Sequence, residues 1–142
     1  MRVLSIVILA ITLFMTSACQ KASEPVPQAN LMIMLTKAET GLDDASFIEV
    51  SDDENCAERV KTARAVFPAA NIEYVAHYCV YSKPKFEAFA HGTAPSGPPH
   101  VLQLEFSKDK HRLISVQSFE VADACLAGNT TVCVASAQNV VE

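Results

Sequence analysis

The sequence predicts an α+β domain in which a small antiparallel sheet carries one helix, about residues 52–67, on one face, with two disulfides. Three observations point there. A capped amphipathic helix follows Ser51, short apolar or alternating segments surround it, and four of the five cysteines fall after residue 50. The 142 residues suit one domain, since a typical domain takes roughly 100–200. The formal net charge of −5 argues against nucleic acid as a partner, because a phosphate backbone calls for a basic face.

The elements follow in order. Residues 1–18 read as a signal peptide: Arg2 is the charged start, Val3 to Phe14 the apolar run, and Met15 to Ala18 the small-residue tail. Thr16-Ser17-Ala18-Cys19 then resembles the lipobox of bacterial lipoproteins, with Thr16 where that class usually has Leu. The resemblance implies that the leader is cut before Cys19 and that the Cys19 thiol takes a diacylglycerol. Acylation of the new amino end would add a palmitate-like chain. The neutral Gln20 implies sorting to the periplasmic face of the outer membrane. Two or more acyl chains anchor stably, whereas one binds marginally. Plain cleavage after Ala18 is one alternative. An uncleaved anchor is another, with Val3 to Gln20 at the short limit of a bilayer span of about 20 residues.

Residues 19–30 form a lipidated cysteine and a flexible tether, with Pro25, Pro27 and no apolar period. Such a chain reaches on the order of 30 Å. Residues 31–142 are then the single globular domain. Leu31 to Leu35 and Phe47 to Val50 read as strands, with a short helix as the alternative for the first, because a five-residue apolar run does not decide. Ser51 is the expected helix N-cap, with Glu54 three residues on completing a capping box. Cys56, Val60, Ala63 and Phe67 form one apolar stripe, and Pro68 ends the helix. Ile72 to Tyr81 is apolar on both faces and belongs in the middle of a sheet. Lys85 to Ala90 has helical spacing after Pro84, with Gly92 as a stop. His100 to Ser107 alternates, turns at Lys108-Asp109-Lys110, and returns as Leu113 to Val121, a hairpin.

Four cysteines in an exported chain read as two disulfides with three possible pairings. From Cys56 to the helix end is about 16 Å, and from Ile72 to Cys79 about 23 Å of strand. An antiparallel return brings Cys79 back to the level of Cys56. Cys125 and Cys133 flank the turn-forming Gly128-Asn129, so the expected pairs are Cys56–Cys79 and Cys125–Cys133.

The best candidate binding element is the proline-rich loop bounded by His91 and His100, containing Pro95, Pro98 and Pro99. Prolines lower the entropy lost when a loop binds a partner. Lys83 and Lys85, and Lys108, Lys110, His111 and Arg112, make two basic groups that could hold an anionic partner or lipid headgroups if they meet in space. The acidic cluster from Asp43 to Glu58 lacks a calcium-loop spacing, and the cysteine spacings match no zinc pattern. There is no G-x-S-x-G elbow or G-x-G-x-x-G cradle.

These residues describe a non-enzymatic, outer-membrane-anchored lipoprotein that binds a protein or envelope component, with no metal or cofactor expected. One alternative is a periplasmic copper-handling protein using some of Met32, Met34, His77, His91 and His100. Another is a small envelope enzyme, for which the sequence offers no nucleophile and base to name.

Overall fold

The computed structural model describes residues 25–39, 41–90 and 98–141. Its frame is two three-stranded antiparallel sheets. In the first, β1 (Leu31–Thr36) lies between β2 (Asp44–Glu49) and β3 (Tyr74–Ser82). In the second, β5 (His100–Phe106) lies between β6 (Arg112–Phe119) and β7 (Thr131–Ser136).

Two short parallel seams join the sheets at diagonal corners. The end of β3 meets the start of β6 through Tyr81↔Arg112 and Ser82↔Leu113, and the start of β2 meets the end of β7 at Asp44↔Ala135. The result is a closed six-stranded barrel of order β1-β2-β7-β5-β6-β3. The expected small antiparallel sheet is therefore corrected to a larger, mixed one. Each three-stranded sheet alone would expose two unpaired edges, and closure covers them.

Side chains complete the seams where backbone pairing stops. Asn30 donates to the Ser82 carbonyl at 2.9 Å and accepts from the Ser82 N–H at 2.7 Å. At the other seam Ser136 Oγ donates to the Ala45 carbonyl, while buried Gln138 accepts from Phe47 N and donates to the carbonyls of Phe47 and Glu87.

The barrel interior is a core around Ile33, Phe47, Val80, Leu102, Leu104 and Phe106. A second core lies outside the barrel, where Met32, Met34, Val50, Cys56 and Val60 pack beneath a helix. That helix, α1 (Asp53–Val66), continues into a 3-10 turn, Phe67–Ala70, ended by Asn71 at φ 55°. It buries the predicted stripe, but its N-cap is Asp52 rather than Ser51. Asp52 accepts from Asn55 N at 2.8 Å and takes the Ser51 hydroxyl at 3.0 Å. A carboxylate complements the positive helix end better than a hydroxyl does. Those donated bonds, with the Asn55 N–H foremost, hold the Asp52 carboxyl below its usual range.

Both disulfides are present, Cys56–Cys79 between α1 and β3 and Cys125–Cys133 between a rim loop and β7. The helix expected over 85–90 is instead β4 (Lys85–Phe86), paired antiparallel with β8 (Val140–Val141). A six-residue helix has too few bonds to repay its nucleation. Extended backbone lets Phe86 stack on Phe47 at 3.8 Å and Glu87 N donate to Asn139 O. Among the described residues no helix is long and apolar enough to cross a membrane.

Candidate functional site

A groove of about 790 Å³ lies between the C-terminal half of α1 and the outer face of β1 and β2. Strand alternation builds its floor: Leu31, Ile33 and Leu35 point into the barrel, so Met32 and Met34 point outward. Ile48 on β2 joins them, and Ala63 and Phe67 close the helix side. The lip carries Val66, 56 % exposed, and Ile72, 40 % exposed.

Several polar groups around the groove are already engaged. Lys37 pairs with Asp43 at 3.4 Å, Arg59 Nε donates to Asn55 Oδ1 at 3.2 Å, and Thr62 Oγ1 donates to the Glu58 carbonyl at 3.1 Å. Asp44 on the rim has its carboxyl raised above the usual range, first by partial burial and then by neighbouring Asp43. The groove therefore has an apolar, thioether-rich floor under a rim of mixed charge. A second cavity of about 300 Å³ lies beside β4, lined by Asn30, Phe47, Ser82 and Phe86, and Phe89 lines both.

The structure separates the sequence-nominated residues. Cys19, His91 and Pro95 lie outside the described residues. Pro98 and Pro99 are exposed, and His100 opens β5 opposite Ser136. Of the described chain flanking 91–97, only the side before it reaches the groove. Phe89 lines it on one side, while on the other His100 lies beside β7, whose Ala135 pairs with the rim residue Asp44.

Of the proposed copper ligands, Met34 and His77 meet as register partners on β1 and β3. The His77 Nδ1 already shares a 2.7 Å hydrogen bond with the Tyr74 hydroxyl, whose ring lies 4.6 Å beneath the Arg64 guanidinium. Burial first, and Arg64 second, lower the His77 pKa, so the imidazole stays neutral. His100 sits on the other sheet, and all four cysteines after residue 50 are bridged. Among the described residues no group of three or more His, Cys, Asp or Glu is placed to hold a metal ion.

Sequence reasoning missed the groove. Its trace was Val66, an apolar residue one position off the Cys56–Val60–Ala63–Phe67 stripe. The β3–β6 seam places Tyr81 beside Arg112, so the strand that ends just before Lys83 runs beside the one that Arg112 begins, while Lys85 lies on β4 beside Glu49. No family model, no curated protein and no solved structure matches this chain.

Proposed function

We propose that the chain is a non-catalytic binding module of the cell envelope, tethered by lipid on Cys19. Its α1/β1/β2 groove takes an apolar segment of a protein partner. The observation that carries this reading is the groove's composition. Met32, Met34 and Ile48 form a floor of adaptable apolar side chains, and Val66 and Ile72 leave apolar surface standing in water at its lip. The volume falls in the range of about 300–1,000 Å³ typical of ligand pockets. Pro98, Pro99 and His100 lie outside the groove's lining, at the start of the strand beside β7, and form a separate candidate contact.

Site-specific photo-crosslinking in intact cells tests it. A benzophenone side chain at Val66 or Ile72 is expected to give an adduct of one shared mass, and at Gln117 on the opposite sheet none. A binding dye such as anilinonaphthalene sulfonate should bind the purified protein saturably and lose that binding in Ala63→Phe, which fills the groove from the helix side. Identical cross-linking from all three positions, or from none, would refute the groove as the contact.

A further inference from the structure

We infer that the corner where β3 meets β6 is a lipid-facing surface that rests on an anionic bilayer; its orientation, though not its charge, depends on the anchor proposed above. Lys83 directly follows β3, and Lys108, Lys110 and Arg112 belong to the β5–β6 turn and the strand it begins. The seam register Tyr81↔Arg112 and the bond from Tyr81 N to His111 O at 2.9 Å set the start of β6 beside the end of β3, with Lys110 Nζ 5.7 Å from the Tyr78 ring centroid and Lys83 two residues beyond Tyr81. Val80 and Leu113 point into the barrel, so Tyr81 and Arg112 point outward. Lys83, Lys108, Lys110 and Arg112 are all exposed, and Ile114, 56 % exposed, continues the outward face beside Arg112.

One carboxylate sits within the turn: Asp109, held by the Ser107 hydroxyl and the His111 N–H, which keep it ionised. Lys85 is matched by Glu49 at 3.9 Å. Exposed Glu105 on β5 accepts from the Ser115 hydroxyl at 2.7 Å on the same outer face, so the corner presents four cations, one of them over the Tyr78 ring, against two carboxylates in a chain whose formal charge is −5.

The second observation is where the tether arrives. Asn30 is bonded through its side chain to Ser82, the residue before Lys83. On its other side Asn30 O accepts from Val50 N, and Ala29 N donates to Asp53 Oδ1 at 3.3 Å, beside Glu49, Asp52 and Glu54. The chain therefore enters on the boundary between a basic and an acidic flank. A domain tethered there, above an anionic surface, is turned so that the β3–β6 corner faces lipid and the helix N-terminus faces away. The force acts only at close range, over a Debye length of about 8 Å at physiological salt. Each cation near such a surface strengthens binding roughly fivefold.

The test uses the full-length protein in phosphatidylcholine vesicles, with and without roughly a third phosphatidylglycerol. Lysine acetylation is read by peptide mass. Lys83, Lys108 and Lys110 are expected to be protected only in the anionic vesicles and released by high salt, while Lys37 and Lys61 stay equally reactive in both. In a second arm the unlipidated Cys19→Ser chain is co-sedimented with the same vesicles. Its binding should require phosphatidylglycerol and fall about 25-fold in a folded Lys108→Ser/Lys110→Ser variant. Equal acetylation in both vesicles together with lipid-independent sedimentation would overturn the inference. Protection failing while sedimentation succeeds would overturn only the anchored orientation, and intact mass of the full-length protein reports separately whether Cys19 is acylated.

Discussion

The two halves of the barrel bury their strands differently. In the β3–β1–β2 sheet, β1 is covered on both faces, by the barrel interior on one side and α1 on the other. Its sequence, LMIML, is accordingly a continuous apolar run, as for any strand buried on both faces. In the β6–β5–β7 sheet the outer face is crossed only by a loop, held by Cys125–Cys133 and by the Gln103 Nε2 bond to Leu126 O, and β6 keeps Leu113 and Val116 inside with Arg112, Ile114 and Gln117 exposed. The same barrel thus has one half built as a three-layer sandwich and one half as a wall crossed by a loop. A groove forms only where the third layer fails to cover the wall completely.

If this contrast is right, the two disulfides should differ in value. Cys56–Cys79 ties the third layer to the wall across 23 residues, and Cys125–Cys133 closes a local turn of 8. Loop-closure entropy gives about 3.5 kcal/mol for the first and about 2.5 kcal/mol for the second. Double Cys→Ala variants compared by urea unfolding should keep that order, and the reverse order would mean that α1 holds to the barrel without its bridge.

Outer-face truncations sharpen the contrast. Met34→Ala, beneath α1 and 3 % exposed, is expected to cost about 3 kcal/mol. Gln117→Ala, exposed on the other wall, should stay within roughly 0.5 kcal/mol. Similar losses at both positions would show that the second wall is covered as well. At the seam, Gln138→Ala strands the Phe47 N–H and two carbonyls in a buried position. It should cost about 2 kcal/mol. Amide exchange in β2 and β7 should then rise before it rises in β1.

The smallest expected effect is a pH dependence. The folded pKa of His77 lies below the unfolded value of 6.5. Near neutral pH and above, both states hold it neutral and it adds no slope. As pH falls below about 6.5 the unfolded chain takes up a proton that the folded protein resists, so stability declines until the folded pKa is passed. His77→Gln should flatten that decline, as read by urea unfolding at about pH 7.5 and at about pH 5.5.

Several features were legible without coordinates because they are local. The α1 stripe, the 100–121 hairpin and the two cysteine pairs rest on spacing within short stretches of chain. The segment 85–90 was misread because its spacing suits a helix, while its extended form is chosen by a strand more than fifty residues away. The 131–136 strand escaped notice because Thr131 to Ser136 is short, and its importance lies in closing the barrel. Neither the groove nor the basic corner could be read directly. The first depends on where a helix stops covering two strands, and the second on a parallel register between residues 81 and 112.

What the sequence determined by itself was therefore the set of pieces: one capped helix, the apolar runs and the bridged cysteines. Apolar periodicity, capping and turn chemistry act over a few residues, so they are written where they operate. The tertiary structure decided the rest: closure of two sheets at diagonal corners, coverage of one wall by α1, and the meeting of Tyr81 with the 111–112 end of the turn. Those outcomes follow from how edges and apolar faces find partners across the whole chain, and no local window contains both partners.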